Sequence, residues 1–316
     1  MLDLHSLAQL VSRHGDVLNA PVRDFVLGGQ TFQHGQSSAE KAAPPAYLMG
    51  VVNLSADSWY RESVVLNANA AIPGGLVLRA SGAALVDVGA ESSLANAARV
   101  DEAAQNSALV PVVRALAQQG VLVSVETYHP KVTTACLEAG ARVLNLTGGS
   151  GLAEEAMYRE VAEHDAGVII CFVQGENVRE VADLDLGADP AVALYDYFAR
   201  RVELAERCGV KRIWIDPGLG FYYRNLQDSA TRIRHQMSVF LHTFRLRKLG
   251  WPTCHALPHA FEAFEDEVRS AEPFFAVLAL LGQTNLLRTH EVTKVRGVLR
   301  TMGMWQDPSP TTGARA

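Results

Sequence analysis

The chain has 316 residues, 48% apolar and 20% charged, with a formal net charge of −6. That composition is globular with ample core material. Without a basic stripe the chain is not a nucleic-acid reader. Four dispersed cysteines (Cys136, Cys171, Cys208 and Cys254) include no C-x-x-C pair. They exclude a disulfide framework and a thiolate zinc site and point to a reducing, cytoplasmic setting. The first residues carry an early Asp3 and no basic run, so they do not read as a secretory signal. No stretch of about 20 apolar residues is present to cross a membrane.

Residues 1–45 read as an N-terminal extension that packs on the body. Leu2, Leu4, Leu7, Leu10 and Val11 have helical spacing. Val22 to Phe32 fits a hairpin turning at Gly28-Gly29, and Gly35 to Pro45 is a polar linker ending in proline. From Tyr47 a rhythm sets in. Strand patterns occur at 47–54, 84–91, 121–127, 142–148, 167–173, 212–216, weakly at 252–257, and at 284–290. Helical patterns lie at 100–118, 130–139, 190–208, 227–249, 267–281 and 292–302. Gly82, Gly120, Gly140, Gly209 and Gly250 stand where helices should stop.

Eight strands alternating with helices predict a parallel α/β fold, and eight is the number that closes a (β/α)8 TIM barrel. An open doubly wound sheet needs a glycine-rich loop after its first strand. Here that strand runs into N-L-S-A-D-S-W-Y. The barrel is therefore expected over 46–306, with a disordered tail at 307–316.

Such barrels work at the C-terminal ends of their strands. Those ends carry Asn53, then Asp87, Glu91 and Ser93, then Glu126 and Thr127, Asn145, Cys171 and Gln174, Asp216, His255, and finally Arg288 and His290. Each has a plain structural explanation on its own. Thr127 or Asn145 can satisfy a loop backbone, Asp87 can brace the interior, and Asp216 can cap a turn. A ring of amides and carboxylates facing an Arg/His pair instead suits a flat heterocycle rich in N–H donors, with an anion at its other side.

The motifs that carry these residues resemble those of dihydropteroate synthases. M-G-V-V-N-L-S-A-D-S is similar to their M-G-I-L-N-V-T-P-D-S, and G-A-A-L-V-D-V-G-A-E-S-S to G-A-D-I-I-D-I-G-G-E-S-T. S-V-E-T-Y, N-L-T-G-G, I-D-P-G-L-G-F and R-T-H-E-V follow in the family's order, and the matches span residues 47–292. The resemblance implies a barrel that joins 6-hydroxymethyl-dihydropterin pyrophosphate to para-aminobenzoate and releases pyrophosphate. It implies that Asp216, Asn145 and Glu126 contact the pterin and that Asn53 holds Mg²⁺ with the diphosphate. It also implies that Arg288 and His290 bind the diphosphate, with Ser93 near the leaving group and Cys171 lining the pocket. Implied partners are the pterin pyrophosphate, an aromatic amine acceptor and a second copy in a homodimer, with helices 227–249 and 267–281 available for the dimer face.

The departures cluster where the second substrate belongs. The family's G-x-S-R-K-S strand is here P-T-C-H-A-L-P-H-A-F, with His255 and His259 but no lysine. The loop Arg is lost at Leu94-Ala95-Asn96, the first-loop Pro is Ala56, and the third-strand Asp is Glu126. Alternatives are therefore a transferase with another acceptor, a pterin-binding protein without synthase activity, and a methyltetrahydrofolate-dependent methyltransferase.

Overall fold

Short runs rich in Val, Ile and Leu, bounded by glycine, make strands that are covered on both faces. In the computed structural model of the chain these runs form the staves of a barrel. Residues 1–34, 44–55, 68–92, 98–178, 180, 183–221 and 223–305 are described. Ten strands occur among them. A hairpin of β1 (Phe25–Leu27) and β2 (Gln30–Phe32) precedes the barrel strands β3 (Tyr47–Asn53), β4 (Leu85–Gly89), β5 (Val123–Thr127), β6 (Val143–Leu146), β7 (Gly167–Cys171), β8 (Ile213–Asp216), β9 (Cys254–Ala256) and β10 (Leu286–Thr289). The eight barrel strands pair in parallel in the order β8-β7-β6-β5-β4-β3-β10-β9. A parallel bridge from Ile215 to Thr253 closes the ring, with the Ile215 N–H donating to the Pro252 carbonyl at 3.0 Å. This is the expected (β/α)8 architecture.

The helices are α1 (Leu4–His14), α2 (Ala68–Ala80), α3 (Glu102–Gln118), α4 (Pro130–Glu138), α5 (Gly151–Glu163), α6 (Pro190–Arg207), α7 (Ser229–His242), the short α8 (Phe261–Phe264), α9 (Ala271–Leu281) and α10 (Val292–Gly303). Two of the longer ones, α2 and α5, and the single-turn α8 lie outside the helical patterns of the sequence. The helix expected at 227–249 changes character partway: α7 ends at His242, and Thr243–Leu249 continues as a 3-10 turn. Thr243 stands at the junction. Its hydroxyl bonds back to the Val239 carbonyl at 2.8 Å, and it lies 2.7 Å from His255 Nε2.

Two hydrophobic layers follow. The larger lies between the barrel and its helices and includes Val86, Val125, Leu144, Ile170 and Ile215. The smaller fills the lower interior, where Met49, Leu85, Val143, Ile169, Trp214, Cys254 and Leu286 converge from seven strands. Leu27 and Phe32 of the hairpin complete this layer, with the Phe32 ring 5.3 Å from Trp214 and nearly perpendicular to it. The hairpin turns on Gly28 and Gly29 with φ of 56° and 80°. Two consecutive positive φ values are what a two-residue turn matched to strand twist requires, and glycine adopts them at least cost. The lower end is thus packed shut, and the polar residues are left at the upper end. The tail at 307–316 lies outside the described residues.

Candidate active site

Strand register sets the floor of the upper end. Asn53 pairs with Gly89, Gly89 with Glu126, and Glu126 with Asn145, so neighbouring strands bring these residues to one level. Farther round the ring, Cys171 pairs with Asp216. An upper cleft of about 530 Å³, its open mouth included, is lined by Asn53, Glu91, Ser92, Glu126, Asn145, Thr147, Cys171, Asp216, Gly218, Gly220, Phe221, Ala256 and Arg288.

Under this floor lies a buried polar network centred on Asp87. The fully buried carboxylate accepts from the Ser124 hydroxyl at 2.6 Å, the Asn145 side-chain amide at 3.0 Å and Arg288 Nε at 2.8 Å. Arg288 also donates through a terminal nitrogen to Glu126 Oε2 at 2.6 Å. Burial works against the guanidinium's charge, but Glu126 and Asp87 outweigh it and hold Arg288 ionised. Burial pushes the Glu126 carboxyl above its usual range against the pull of Arg288. Asp87, weighed above as an interior brace, is one: it fixes Asn145 and Arg288 from below.

Asp216 ends β8 in a different environment. Its Oδ1 accepts from the Gly218 N–H at 2.8 Å, and the Cys254 thiol also bonds to it. Burial raises its pKa to about 6, against these bonds and the attraction of Arg288. Cys171 donates its thiol to Asn145 Oδ1 at 3.3 Å. Burial holds the thiols of Cys171 and Cys254 well above their ordinary value, so neither is a ready nucleophile. Glu91, at the rim, accepts from the Tyr128 hydroxyl at 2.6 Å and from the Val100 N–H.

Arg288 and His290, expected to meet one anion together, take different partners. Arg288 lies between the two carboxylates. His290 follows β10, with Nε2 at 3.5 Å from the Asn53 amide and Nδ1 at 2.9 Å from Glu272 Oε1. The two histidines near the weak seventh strand also separate. His255 turns into the helix layer against Phe240 and Thr243, where burial lowers its pKa to about 3. His259 sits 3.1 Å from Glu272 and its ring lies 5.1 Å from His290. Among the described residues no lysine lines the cleft. Ser93, Ala56 and Leu94-Ala95-Asn96 lie outside the described residues. Glu272 was missed by sequence reasoning. Its signal was a lone carboxylate in the apolar run A-E-P-F-F-A-V-L-A-L-L.

A parallel barrel with a polar, donor- and acceptor-lined mouth at its strand ends defines a small-molecule enzyme of the (β/α)8 class. The comparisons narrow this class. Residues 49–254 match the family model described as "Pterin binding enzyme". The dihydropteroate synthase of Mycobacterium leprae (strain TN) is 31% identical over 84% of this chain and 95% of its own length. That of Streptococcus pyogenes serotype M6 is 30% identical over 66% of this chain and 73% of its own. Among solved structures, the Xanthomonas albilineans dihydropteroate synthase with 4-aminobenzoic acid aligns with a TM-score of 0.67 and 26% identity, over 81% of this chain and 92% of that one. The chain belongs to the pterin-binding enzyme family, as a dihydropteroate synthase-like member.

Proposed function

We propose that the chain is a transferase that joins a 6-hydroxymethyl-dihydropterin pyrophosphate to para-aminobenzoate or a related aromatic amine. One observation carries the reading. Two carboxylates, the buried Asp216 and the partly buried Glu126, face the same cleft as a donor-bearing edge made by Asn53 and Arg288. The ring of the first substrate presents N–H donors to Asp216, Glu126 and Asn145. Its diphosphate reaches Asn53, Arg288 and His290.

In the reaction the bond between the pterin CH₂ and the diphosphate oxygen breaks, with the electron pair leaving on oxygen. The amine nitrogen forms the new bond to that carbon and then loses a proton. Positive charge grows on the ring beside the carboxylates, and negative charge grows on the leaving group beside Arg288. Positioning and charge stabilisation suffice, which agrees with a cleft whose one thiol, Cys171, is pushed by burial away from the nucleophilic form. Mg²⁺ fits the donor set in a limited way. It takes oxygen ligands, commonly one or two from the protein with the rest from substrate phosphates and water. Asn53 supplies one such oxygen, and the ion would neutralise the departing diphosphate.

A different acceptor is favoured by one specific feature. The seventh-strand side of the cleft offers Ala256 and no lysine, with His255 turned away. A pyrophosphate-release assay with the pterin pyrophosphate separates the readings. Release only with para-aminobenzoate supports the synthase. Release with other amines supports a changed acceptor, and binding without release sinks the transferase. A homodimer through α9 is part of the proposal, since Phe274 and Leu281 leave 41% and 43% of their surface exposed there. Among the described residues no helix is long and apolar enough to cross a membrane.

A further inference from the structure

Glu272 is the sole charged residue of α9 and is fully buried. Its two oxygens differ in their partners, although the His290 N–H reaches both, at 3.0 Å to Oε2 and 3.2 Å to Oε1. Oε2 accepts from the Thr289 hydroxyl and from the backbone N–H groups of His290 at 3.0 Å and Glu291 at 3.2 Å. Oε1 faces His290 Nδ1 at 2.9 Å and His259 Nε2 at 3.1 Å. Backbone N–H groups can only donate, and an ionised carboxylate can only accept. The His290 Nδ1 that meets Oε1 therefore carries the proton. For His290 this leaves Nε2 as the nitrogen turned to Asn53.

We propose that Glu272 is the positioning residue of the anion end of the cleft: it holds the turn after β10 and fixes His290 as its Nδ1–H tautomer, sharing the same carboxylate with His259. The tautomer follows from these contacts with Glu272 ionised, as its donors favour, and its use in binding a diphosphate rests on the function proposed above. A carboxylate behind a histidine sets ring orientation and tautomer in many sites where the far nitrogen meets a ligand. Here the carboxylate comes from a helix, the histidine from the end of the neighbouring strand, and the contact joins α9 to the cleft.

Long-range ¹H–¹⁵N correlation of the histidine side chains tests this in the whole chain without substrate. The wild-type protein should show neutral His290 as the Nδ1–H form, and an Nε2–H form overturns the proposal. Glu272→Gln makes a sharper test. The backbone N–H groups of His290 and Glu291 cannot swap roles, so the amide oxygen must serve them. The amide NH₂ then faces the rings, and His290 should switch to Nε2–H. Retention of Nδ1–H in that variant overturns the proposal. Glu272→Asp, which keeps an acceptor-only group, should preserve the wild-type tautomer even if the Gln variant folds poorly, and a switch there also counts against it.

The functional half is read from a pterin pair. Glu272→Gln should weaken the pterin pyrophosphate at least tenfold while leaving the diphosphate-free pterin unchanged, and equal loss for both overturns it. If wild-type protein binds neither pterin, the proposed function fails while the tautomer result still stands. Zinc retained at one ion per chain and lost in Glu272→Gln would make the trio a metal centre and overturn the hydrogen-bonded reading.

Discussion

Arg288 Nε donates to Asp87 Oδ2 across 2.8 Å, tying the last barrel strand to the second beneath the cleft. The bond removes Asp87 from the list of ligand groups and makes Arg288 rigid before any substrate arrives. Asp87→Ala leaves Ser124, Asn145 and Arg288 each short of an acceptor. Breaking a buried ion pair from one side costs ~3–5 kcal/mol. Urea denaturation should show a loss of that order, and unchanged stability would remove Asp87 from the framework.

Asp216 faces the cleft without such a cation bonded to it. Asp216→Asn replaces an acceptor pair by half a donor, so a ring N–H that met oxygen now meets N–H. Calorimetry with a pterin analogue should show affinity lost by a hundredfold or more. Asp216→Glu should lose less, because it keeps both acceptors on a longer arm. Equal affinity in the Asn variant would end the assignment of the ring to this carboxylate.

The pH dependence follows from the same residue. Its folded pKa, about 6, lies above the ordinary 3.8, so the folded chain holds this proton where the unfolded chain has released it. As pH rises from about 4 through 6, ionising Asp216 therefore lowers the stability of the ligand-free protein. The ligand demands the opposite, since the ring needs the ionised acceptor. Pterin affinity should rise about tenfold per pH unit up to the folded pKa and then level off. Thermal melts with and without a pterin analogue across this range should show opposing trends, and parallel trends would exclude Asp216 as the ring's acceptor.

The sequence carried the barrel well because its strands have one environment. Ile213, Trp214 and Ile215 are buried on both faces, and runs of that kind announce themselves without a partner. Two helices were hidden for local reasons. Pro73 and the Gly74-Gly75 pair lie inside α2 and blur its pattern. In α5 the buried face includes Glu154, which is paired with Arg201, so the stripe is not purely apolar. The site was readable one residue at a time but not as a network. Nothing in the spacing said that Arg288 would reach Asp87 and Glu126, or that Glu272, on a helix, would face His290. Those contacts depend on how the strands close and how α9 packs, and periodicity does not encode that.

The hairpin gives a test of stability remote from the cleft. Phe32 is fully buried against Trp214 and Phe25. Phe32→Ala leaves a cavity in the lower layer and should cost ~3–5 kcal/mol. Pterin affinity should hold under native conditions, because the layer of Met49, Ile169 and Trp214 separates the hairpin from the cleft. A parallel loss of affinity would mean that the lower layer sets the geometry of the strand ends.

Gly218 and Gly220 flank Leu219 just after Asp216, and their substitution should have unequal effects. Gly218 has φ of +76°, and a Cβ there would stand 2.4 Å from the Phe172 carbonyl oxygen. A backbone atom cannot step aside as a side chain can, so Gly218→Ala must shift the turn. The shift lengthens the 2.8 Å bond from the Gly218 N–H to Asp216 and turns the carboxylate. At Gly220 the added carbon would lie 3.2 Å from Ala256 Cβ, with no positive φ to strain. Calorimetry should therefore show pterin binding reduced more than tenfold by Gly218→Ala and by only a few-fold by Gly220→Ala. The reverse order would mean that the cleft is shaped by the Ala256 side and not by the turn that holds Asp216.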